Sequence, residues 1–447
     1  MRGFVVQAEG LPAAVRAQAE RRAPVWLDWR SAQRNAACDH SELPLPSGPE
    51  RAVARDLLDM ATAIYLADLA VPRGRNEDFV RELELVLPVR EPDFWQAQEP
   101  HLAWLLQRLC GDQVHLEFHP REGEDSPVES ARPWIEADSV SLLSGGLDSA
   151  AGAALLLRTD RRPRLIMHRS GNPAVAQAQD RLTDTLAQKW PDQFRLSAVR
   201  LAPSSHRTGA LPFPGPELRE STRRCRSLLY LALGAVAAAG EGVDELYLYD
   251  NAVLTSAVPL SAARCGSFTT HSTHPAVLAQ FNELLRAAGL TVQVQNPFLY
   301  QAKGELIRTC LQPVFSPQEI LQTVSCWAVG RQQRQCGGCV PCLLRRISLL
   351  AAGLPDEVYE RDLLGHPYHY QDTDGHRNLT DLLGWAACVL STPELRLPLE
   401  YPSLLEVQAG GAQVMEVVRA LRRQATEIFD VVQRHFPAAA ALMNDGR

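Results

Sequence analysis

The chain of 447 residues is longer than one ordinary domain, so two or three are expected. Its 46% hydrophobic and 22% charged residues are those of a soluble globular protein with a core of normal size. A net charge of −7 provides no overall basic field to draw the chain to nucleic acid or an anionic membrane.

No continuous apolar core follows Arg2, so no signal peptide is expected. The longest apolar run, Leu228 to Ala239, falls short of the roughly 20 residues that span a bilayer. Ten cysteines without a secretory leader argue against a disulfide framework and for a cytoplasmic protein. Six of them (Cys38, Cys110, Cys225, Cys265, Cys310, Cys388) are scattered and expected to be buried or inert.

Residues 1 to about 48 are rich in Ala, Arg and Pro and end in Leu43-Pro44-Leu45-Pro46-Ser47-Gly48, which reads as a linker. From Arg51 to Val71 apolar residues recur at three- and four-residue steps, as on an amphipathic helix. Glu82 to Val89 reads as a strand, His101 to Cys110 as a helix and Gln113 to His119 as a second strand. Residues 1–130 thus form an N-terminal α+β extension without a catalytic constellation. Arg121 to Pro127 is a charged, turn-rich connector.

Residues 131–350 alternate as a parallel α/β fold should, with helices on both faces of the sheet. Strands are expected at Ser139–Leu143, Arg164–His168, Phe194–Leu201, Glu245–Asp250 and Thr291–Phe298. Helices are expected after Gly146 and over Asn172–Trp190, Ser221–Ala239, Ala276–Ala288 and Ala302–Leu311. Two long irregular stretches, Ala202–Glu217 and Asn251–His274, follow strands, at the sheet edge where open α/β folds bind ligands. Residues 351–447 are mainly helical, most clearly Val414 to His435.

The first strand runs into Ser144-Gly145-Gly146-Leu147-Asp148-Ser149 and then an Ala/Leu helix. Strand, glycine turn and helix start together form an anion-binding device. Glycine admits φ > 0, backbone N–H groups approach the oxyanion, and the helix dipole adds positive potential. Ser144 and Ser149 add hydroxyls; Asp148 implies either a Mg²⁺ ion beside the phosphates or a helix-capping role. No Gly-Lys-Ser/Thr follows, so this is not a Walker loop. The six residues resemble the signature of the PP-loop ATP pyrophosphatases, which grip the β,γ-pyrophosphate of ATP while a nucleophile attacks the α-phosphorus.

Further on, Cys326, Cys336, Cys339 and Cys342 have the spacing C-x9-C-x2-C-x2-C over 326–342. Four thiolates suit a closed tetrahedral Zn²⁺ site with a structural role. An iron–sulfur cluster also takes four cysteines, but the C-x2-C-x2-C-x3-C-Pro run is absent.

A PP-loop followed by this cysteine pattern and Arg345 resembles the 7-cyano-7-deazaguanine synthase (QueC) family over about 140–350. Arg226-Ser227-Leu228-Leu229-Tyr230 is similar to the family's Arg-Asn-Leu-Leu-Phe, and Asn296-Pro297-Phe298 with Lys303 and Glu305 to its Pro…Lys-x-Glu. The chain departs from the housekeeping enzymes in its length, at Arg169–Asn172 and at Tyr249–Val253. The N-terminal extension and Thr273-His274-Pro275 resemble instead the long QueC-like proteins of bacterial anti-phage operons (QatC-like, of the Qat system).

The resemblance implies an ATP-dependent C–N ligase that adenylates the carboxylate of 7-carboxy-7-deazaguanine. The acyl group then passes to ammonia or to an amine on an operon-encoded partner. Ser144, Gly145, Gly146, Leu147, Asp148 and Ser149 would bind ATP, with Asp148 orienting Mg²⁺; Lys303 and Arg226 would neutralise the leaving pyrophosphate. Asp250, Asn251 and His274 are candidate substrate contacts. His271 and His274 could equally be loop histidines bonded to backbone. Arg223 and Arg224 read as a solvated helix start, and Trp327 as wall packing. The family implies a homodimer. Two other readings stand beside the ligase: a catalytically silent nucleotide-binding scaffold of a defence complex, and a tRNA-base-modifying PP-loop enzyme. The acidic charge and the lack of an aromatic–basic stripe disfavour nucleic acid as a direct substrate.

Overall fold

The computed structural model describes residues 2–32, 34–74, 79–123, 130–203, 211–264, 271–327, 329 and 334–444. Cys265 and parts of the Arg121–Pro127, Ala202–Glu217 and Asn251–His274 stretches lie outside them. In chain order the first region holds β1 (Arg2–Gln7), α1 (Ala13–Glu20), β2 (Val25–Leu27), β3 (Ala36–Asp39) and α2 (Arg51–Ala70). It continues with β4 (Glu82–Val89), α3 (Pro92–Cys110) and β5 (Gln113–Pro120). The strands of the N-terminal sheet run in the order β2-β1-β4-β5 and all pair in parallel. The region is therefore parallel α/β, where segregated α+β was expected.

Leu43–Pro46 is not a linker. All four residues are buried, and a Cβ added at Gly240 would come within 2.2 Å of the Pro44 carbonyl oxygen. Leu43 and Leu45 fill the apolar core between the N-terminal region and the central sheet. The prolines read as a connector, but the two leucines beside them are apolar side chains that the core takes up.

The second region comprises β6 (Ser139–Leu142), α4 (Leu147–Arg158), β7 (Pro163–His168), α5 (Pro173–Lys189) and β8 (Arg195–Pro203). Next come α6 (Arg226–Glu241), β9 (Glu245–Tyr247), α7 (Ala252–Thr255), α8 (Pro275–Ala287), β10 (Gln293–Gln295) and α9 (Lys303–Leu306). A π-helical turn, Ile307–Leu311, extends α9. The central sheet has the order β10-β9-β6-β7-β8-β3. It is parallel except for β3, which the N-terminal region adds antiparallel to β8. Ile166 faces α2, α6 and α8, while its neighbours Leu165 and Met167 face α4 and α5, so helices cover both faces.

Strands β9 and β10 are shorter than expected because a side chain takes over their ladder. The Asn296 amide donates to the Asp250 carbonyl oxygen (2.9 Å) and its Oδ1 accepts from the Asp250 N–H (3.3 Å). The chain is thereby turned out at the carboxyl edge. From β6 the order runs outward to β7 and β8, then jumps back across β6 to β9. The reversal falls between β6 and β9, which makes their carboxyl ends the switch point of the sheet.

The last region contains α10 (Pro317–Leu321), α11 (Val340–Ala351), α12 (Thr373–Ser391), α13 (Leu397–Glu400), α14 (Ser403–Glu406), α15 (Val414–His435) and α16 (Pro437–Asn444). Val417, Leu421, Ala425, Ile428 and Val432 form a stripe on α15 that packs into one core with Leu379, Leu382 and Leu383 of α12. Among the described residues no helix is long and apolar enough to cross a membrane.

Candidate functional site

The turn after β6 has the backbone that its glycines imply. Gly145 has φ +90, and Gly146 (φ −90, ψ 172) is the N-cap of α4. Ser144 N–H donates to Ser149 Oγ (3.1 Å), the two hydroxyls are 2.9 Å apart, and Gly146 N–H donates to Ser144 Oγ (3.3 Å). The turn's carbonyls are held from behind: Ser144 by the Gln179 amide (3.3 Å) and Gly145 by Val324 N–H (3.1 Å). With the carbonyls occupied, the first N–H groups of α4, which have no partner within the helix, are the donors this turn can offer an anion. A Cβ at Gly145 would stand 2.9 Å from Gln179 Cγ. Gly145→Ala is expected to cost about 1–3 kcal/mol through strain alone, read by urea unfolding.

Asp148 follows in the first turn of α4 and is buried. One carboxylate oxygen pairs with the Lys303 ammonium from α9, and the other accepts from Asn251 Nδ2 (2.8 Å). Three segments that are remote in the chain thus meet at the switch point. Asn251, a candidate substrate contact, is placed here inside the fold. It is 1% exposed, its Oδ1 caps α7 by accepting from Val253 N–H (3.2 Å), and its amide nitrogen holds Asp148.

Lys303 had a compositional signal of its own. Lys189 and Lys303 are the only lysines in the chain, against 43 arginines (45 basic residues less two). In so arginine-biased a sequence, a buried lysine marks a place that needs a compact ammonium and not a planar fork.

Asp250 is partly buried and accepts from Thr273 Oγ1 (2.8 Å). Burial, and then the nearby Asp148 carboxylate, push its pKa up to about 7. Since the folded value exceeds the unfolded one, the protonated carboxyl favours the fold. That stabilisation is full below about pH 4 and is lost as pH rises through 7. Asp250→Asn is expected to flatten this slope and to stabilise the fold at pH 8 by about 2–4 kcal/mol, measured by urea unfolding at pH 5 and pH 8.

His274, the third candidate substrate contact, is likewise engaged within the fold. It is 1% exposed; Nδ1 accepts from Ala276 N–H (3.2 Å) as the N-cap of α8, and Nε2 reaches the Ser403 carbonyl (3.1 Å). Both nitrogens are engaged within the fold, and burial lowers its pKa, so it is a neutral strut between α8 and Ser403. His274→Ala should lower the thermal midpoint, as loss of a cap costs about 1 kcal/mol, while leaving KM values unchanged. His271 packs edge-on to it, with centroids 5.6 Å apart, and burial lowers its pKa to about 4.

Arg226 begins α6, exposed, with its guanidinium over the Tyr230 ring (5.7 Å). It shares no described contact with Asp148 or Lys303. Its position is set through Asp68 of α2, whose carboxylate accepts from Cys225 N–H (3.1 Å). Arg224 is not solvated but buried beside the Phe79 ring (4.9 Å), and Trp327 is 69% exposed, not wall packing. Of the scattered cysteines, Cys388 is exposed.

The four sulfurs of Cys326, Cys336, Cys339 and Cys342 lie within 4.8 Å of one another and are buried. Cys336 and Cys342 sulfurs are 3.8 Å apart, Cys326 and Cys339 sulfurs 4.0 Å. A tetrahedron with Zn–S bonds of about 2.3 Å has edges of about 3.8 Å. The donor set and its spacing fit one closed zinc site. Backbone N–H groups of Cys336 and Cys339 donate to the Cys326 and Cys336 sulfurs (3.3 Å each), which stabilises thiolate charge. Gly337 has φ +78, and a Cβ there would lie 2.0 Å from the Arg361 carbonyl oxygen. Arg345 is fully buried; it forks onto Glu357 (2.7 Å twice) and donates to Thr323 Oγ1 (2.8 Å). It thereby fastens the cysteine helix to the segment behind Gly145. The charge and spacing of Gln179, Val324, Gln424 and Glu427 gave no local signal, since each works through contacts across the fold.

The family model for queuosine biosynthesis protein QueC matches residues 270–353. Over 233 residues the chain is 27% identical to a 7-cyano-7-deazaguanine synthase of Synechococcus elongatus, covering 49% of this chain and 94% of the relative. The corresponding enzyme of Cupriavidus necator is 28% identical over 232 residues (49% and 95%). That of Methylobacillus flagellatus is 29% identical over 227 residues (49% and 93%). About half of this chain therefore has no counterpart in these relatives.

Proposed function

We infer that the chain is an ATP-dependent ligase of the QueC type. It adenylates the carboxylate of 7-carboxy-7-deazaguanine and passes the acyl group to ammonia or to an amine of a partner protein. The observation that carries this reading is the meeting of Asp148, Asn251 and Lys303 beside a glycine turn with tethered carbonyls, at the switch point of the sheet.

In the first step a carboxylate oxygen of the substrate bonds to the α-phosphorus, and the bond from that phosphorus to the bridging oxygen of pyrophosphate breaks. The substrate oxygen is already anionic, so no general base is needed. Ser144, Gly145, Gly146, Leu147 and Ser149 hold the departing pyrophosphate; Lys303, kept in place by Asp148, neutralises its growing charge, with Arg226 closing from α6. Asp148 is also the carboxylate that would hold Mg²⁺, which supplies charge neutralisation when it arrives with ATP. In the second step the amine nitrogen bonds to the acyl carbon, AMP leaves with the carboxylate oxygen, and the amine loses a proton. Asp250, half ionised near neutral pH, is the group next to this centre that contacts the heterocycle or takes that proton.

The cysteine site is assigned to structural zinc. The regions outside the matched residues, as in the long defence-type proteins, supply the surface for an operon-encoded partner or for a homodimer. Incubation with ATP, Mg²⁺ and 7-carboxy-7-deazaguanine, with and without ammonium, should yield AMP and pyrophosphate. ADP as product, or no turnover with any acceptor, would remove the ligase reading, and turnover with tRNA alone would replace it. A mass increase on a neighbouring operon protein would identify the acceptor.

A further inference from the structure

The helix that carries Lys303 is held only in part by its own residues, through Glu305 Oε2 accepting from Ala302 N–H (2.8 Å). Helix α9 with its π-helical extension spans only Lys303–Leu311, too short to be stable alone, because helix nucleation is costly. Its N-cap is Ala302, whose methyl side chain accepts no hydrogen bond. The N–H groups of Lys303 and Gly304 are nonetheless satisfied, from α15 more than 100 residues further on. Lys303 N–H donates to Gln424 Oε1 (2.8 Å) and Gly304 N–H to Glu427 Oε2 (3.0 Å). Gln424 Nε2 in turn donates to Glu427 Oε2 (3.2 Å), joining the two acceptors into one unit.

Gln424 is 0% exposed and interrupts the apolar stripe of α15, where an amide has no reason to be unless it is used. A Cβ at Gly304 would stand 2.4 Å from Glu427 Oε1, so a side chain there would displace this carboxylate. Outside this unit, Arg423 donates to Glu305 and to the Tyr300 carbonyl (2.7 Å each), and Arg308 pairs with Glu427 (3.0 Å). These contacts clamp both sides of the lysine's short helix against α15. The matched family segment ends at residue 353, well before either acceptor.

We propose that Gln424 and Glu427 are positioning residues that cap the helix of Lys303 from outside, so that α15 sets the ammonium against Asp148 and the pyrophosphate. The inference rests on the proposed role of Lys303, but its geometric half can be tested without turnover. With two lysines in the chain, amine acetylation followed by mass spectrometry reads both separately. Lys189, with its side chain 29% exposed and paired with Glu319 (3.1 Å), is the internal control.

In Gln424→Leu, which keeps the packing and removes the acceptor, Lys303 acetylation is expected to accelerate at least tenfold while Lys189 does not change. Where turnover is measurable, kcat for pyrophosphate release should fall at least tenfold with KM for ATP within threefold, because the lysine acts on charge that develops in the transition state. Gln424→Glu sets a carboxylate against Glu427 and should show the same defect. Adding Glu427→Gln to it restores one acceptor–donor pair and should bring Lys303 acetylation back to within threefold of the parent. No change at Lys303 in Gln424→Leu, an equal rise at both lysines, or no rescue in the double variant overturns the proposal. If the parent protein releases no pyrophosphate from any substrate while the acetylation pattern holds, the ligase reading fails and the positioning role stands.

Discussion

Replacing Cys342 by Ala is expected to abolish ATP binding as well as metal binding, although no thiolate is at the glycine turn. The route is short. Cys336–Cys342 opens α11, Arg345 on that helix holds Thr323 and the Leu321 carbonyl, and the next residue, Val324, donates to Gly145. Segment 321–326 therefore forms the back wall of the turn, and its terminal anchor is Cys326. A structural zinc site of this kind contributes about 10–16 kcal/mol of apparent binding free energy that is also folding free energy. Without it the four sulfurs, packed within 4.8 Å, repel one another as thiolates or lose their partners as thiols. Elemental analysis should give one zinc per parent chain and none in Cys342→Ala. Calorimetry should give ATP binding in the parent and none in the variant. Retained ATP affinity with zinc absent would show that the wall stands without its metal.

The second large effect concerns the buried pair. Lys303→Ala leaves the Asp148 carboxylate with Asn251 as its one described partner in a site 7% exposed, and a buried charge deprived of its counter-ion costs about 3–5 kcal/mol. Pyrophosphate release should fall by roughly 10²–10³, the usual loss when one preorganised electrostatic group is removed. Stability and catalysis can be separated. Lys303→Met together with Asp148→Asn removes both charges, so urea unfolding should recover most of the lost stability, while turnover stays as low as in the single variant. Lys303→Arg should not rescue. A planar guanidinium needs room for five donors, whereas the ammonium sits between Asp148 and a backbone capped by Gln424. Recovery of activity in the charge-free double variant would mean that the pair is structural and that another group neutralises the leaving pyrophosphate.

Asn251 and His274 are drawn into the fold in the same way. Asn251 and His274 both follow strands or loops at the ligand-binding edge, and both carry groups suited to substrate recognition. Each is instead spent on a helix start, α7 and α8, and buried by what packs over it. A side chain that can cap a helix and one that can read a ligand look the same in one dimension; burial separates them.

Short-range chemistry was legible in the amino-acid order alone. Gly145-Gly146 between a β run and an Ala/Leu run admits few backbones, and a C-x2-C-x2-C knuckle brings three sulfurs together whatever surrounds it. Helices with a strong apolar period, Arg51–Ala70 and Val414–His435, emerged with the expected bounds to within a residue. Tertiary structure alone decided what those parts are for: that Asn251 and Lys303 come to Asp148, that Leu43–Pro46 is core, and that Gln424 and Glu427 reach backbone N–H groups 121 and 123 positions earlier. Such contacts depend on sheet order and helix packing, which bring together residues between which no local periodicity or propensity runs.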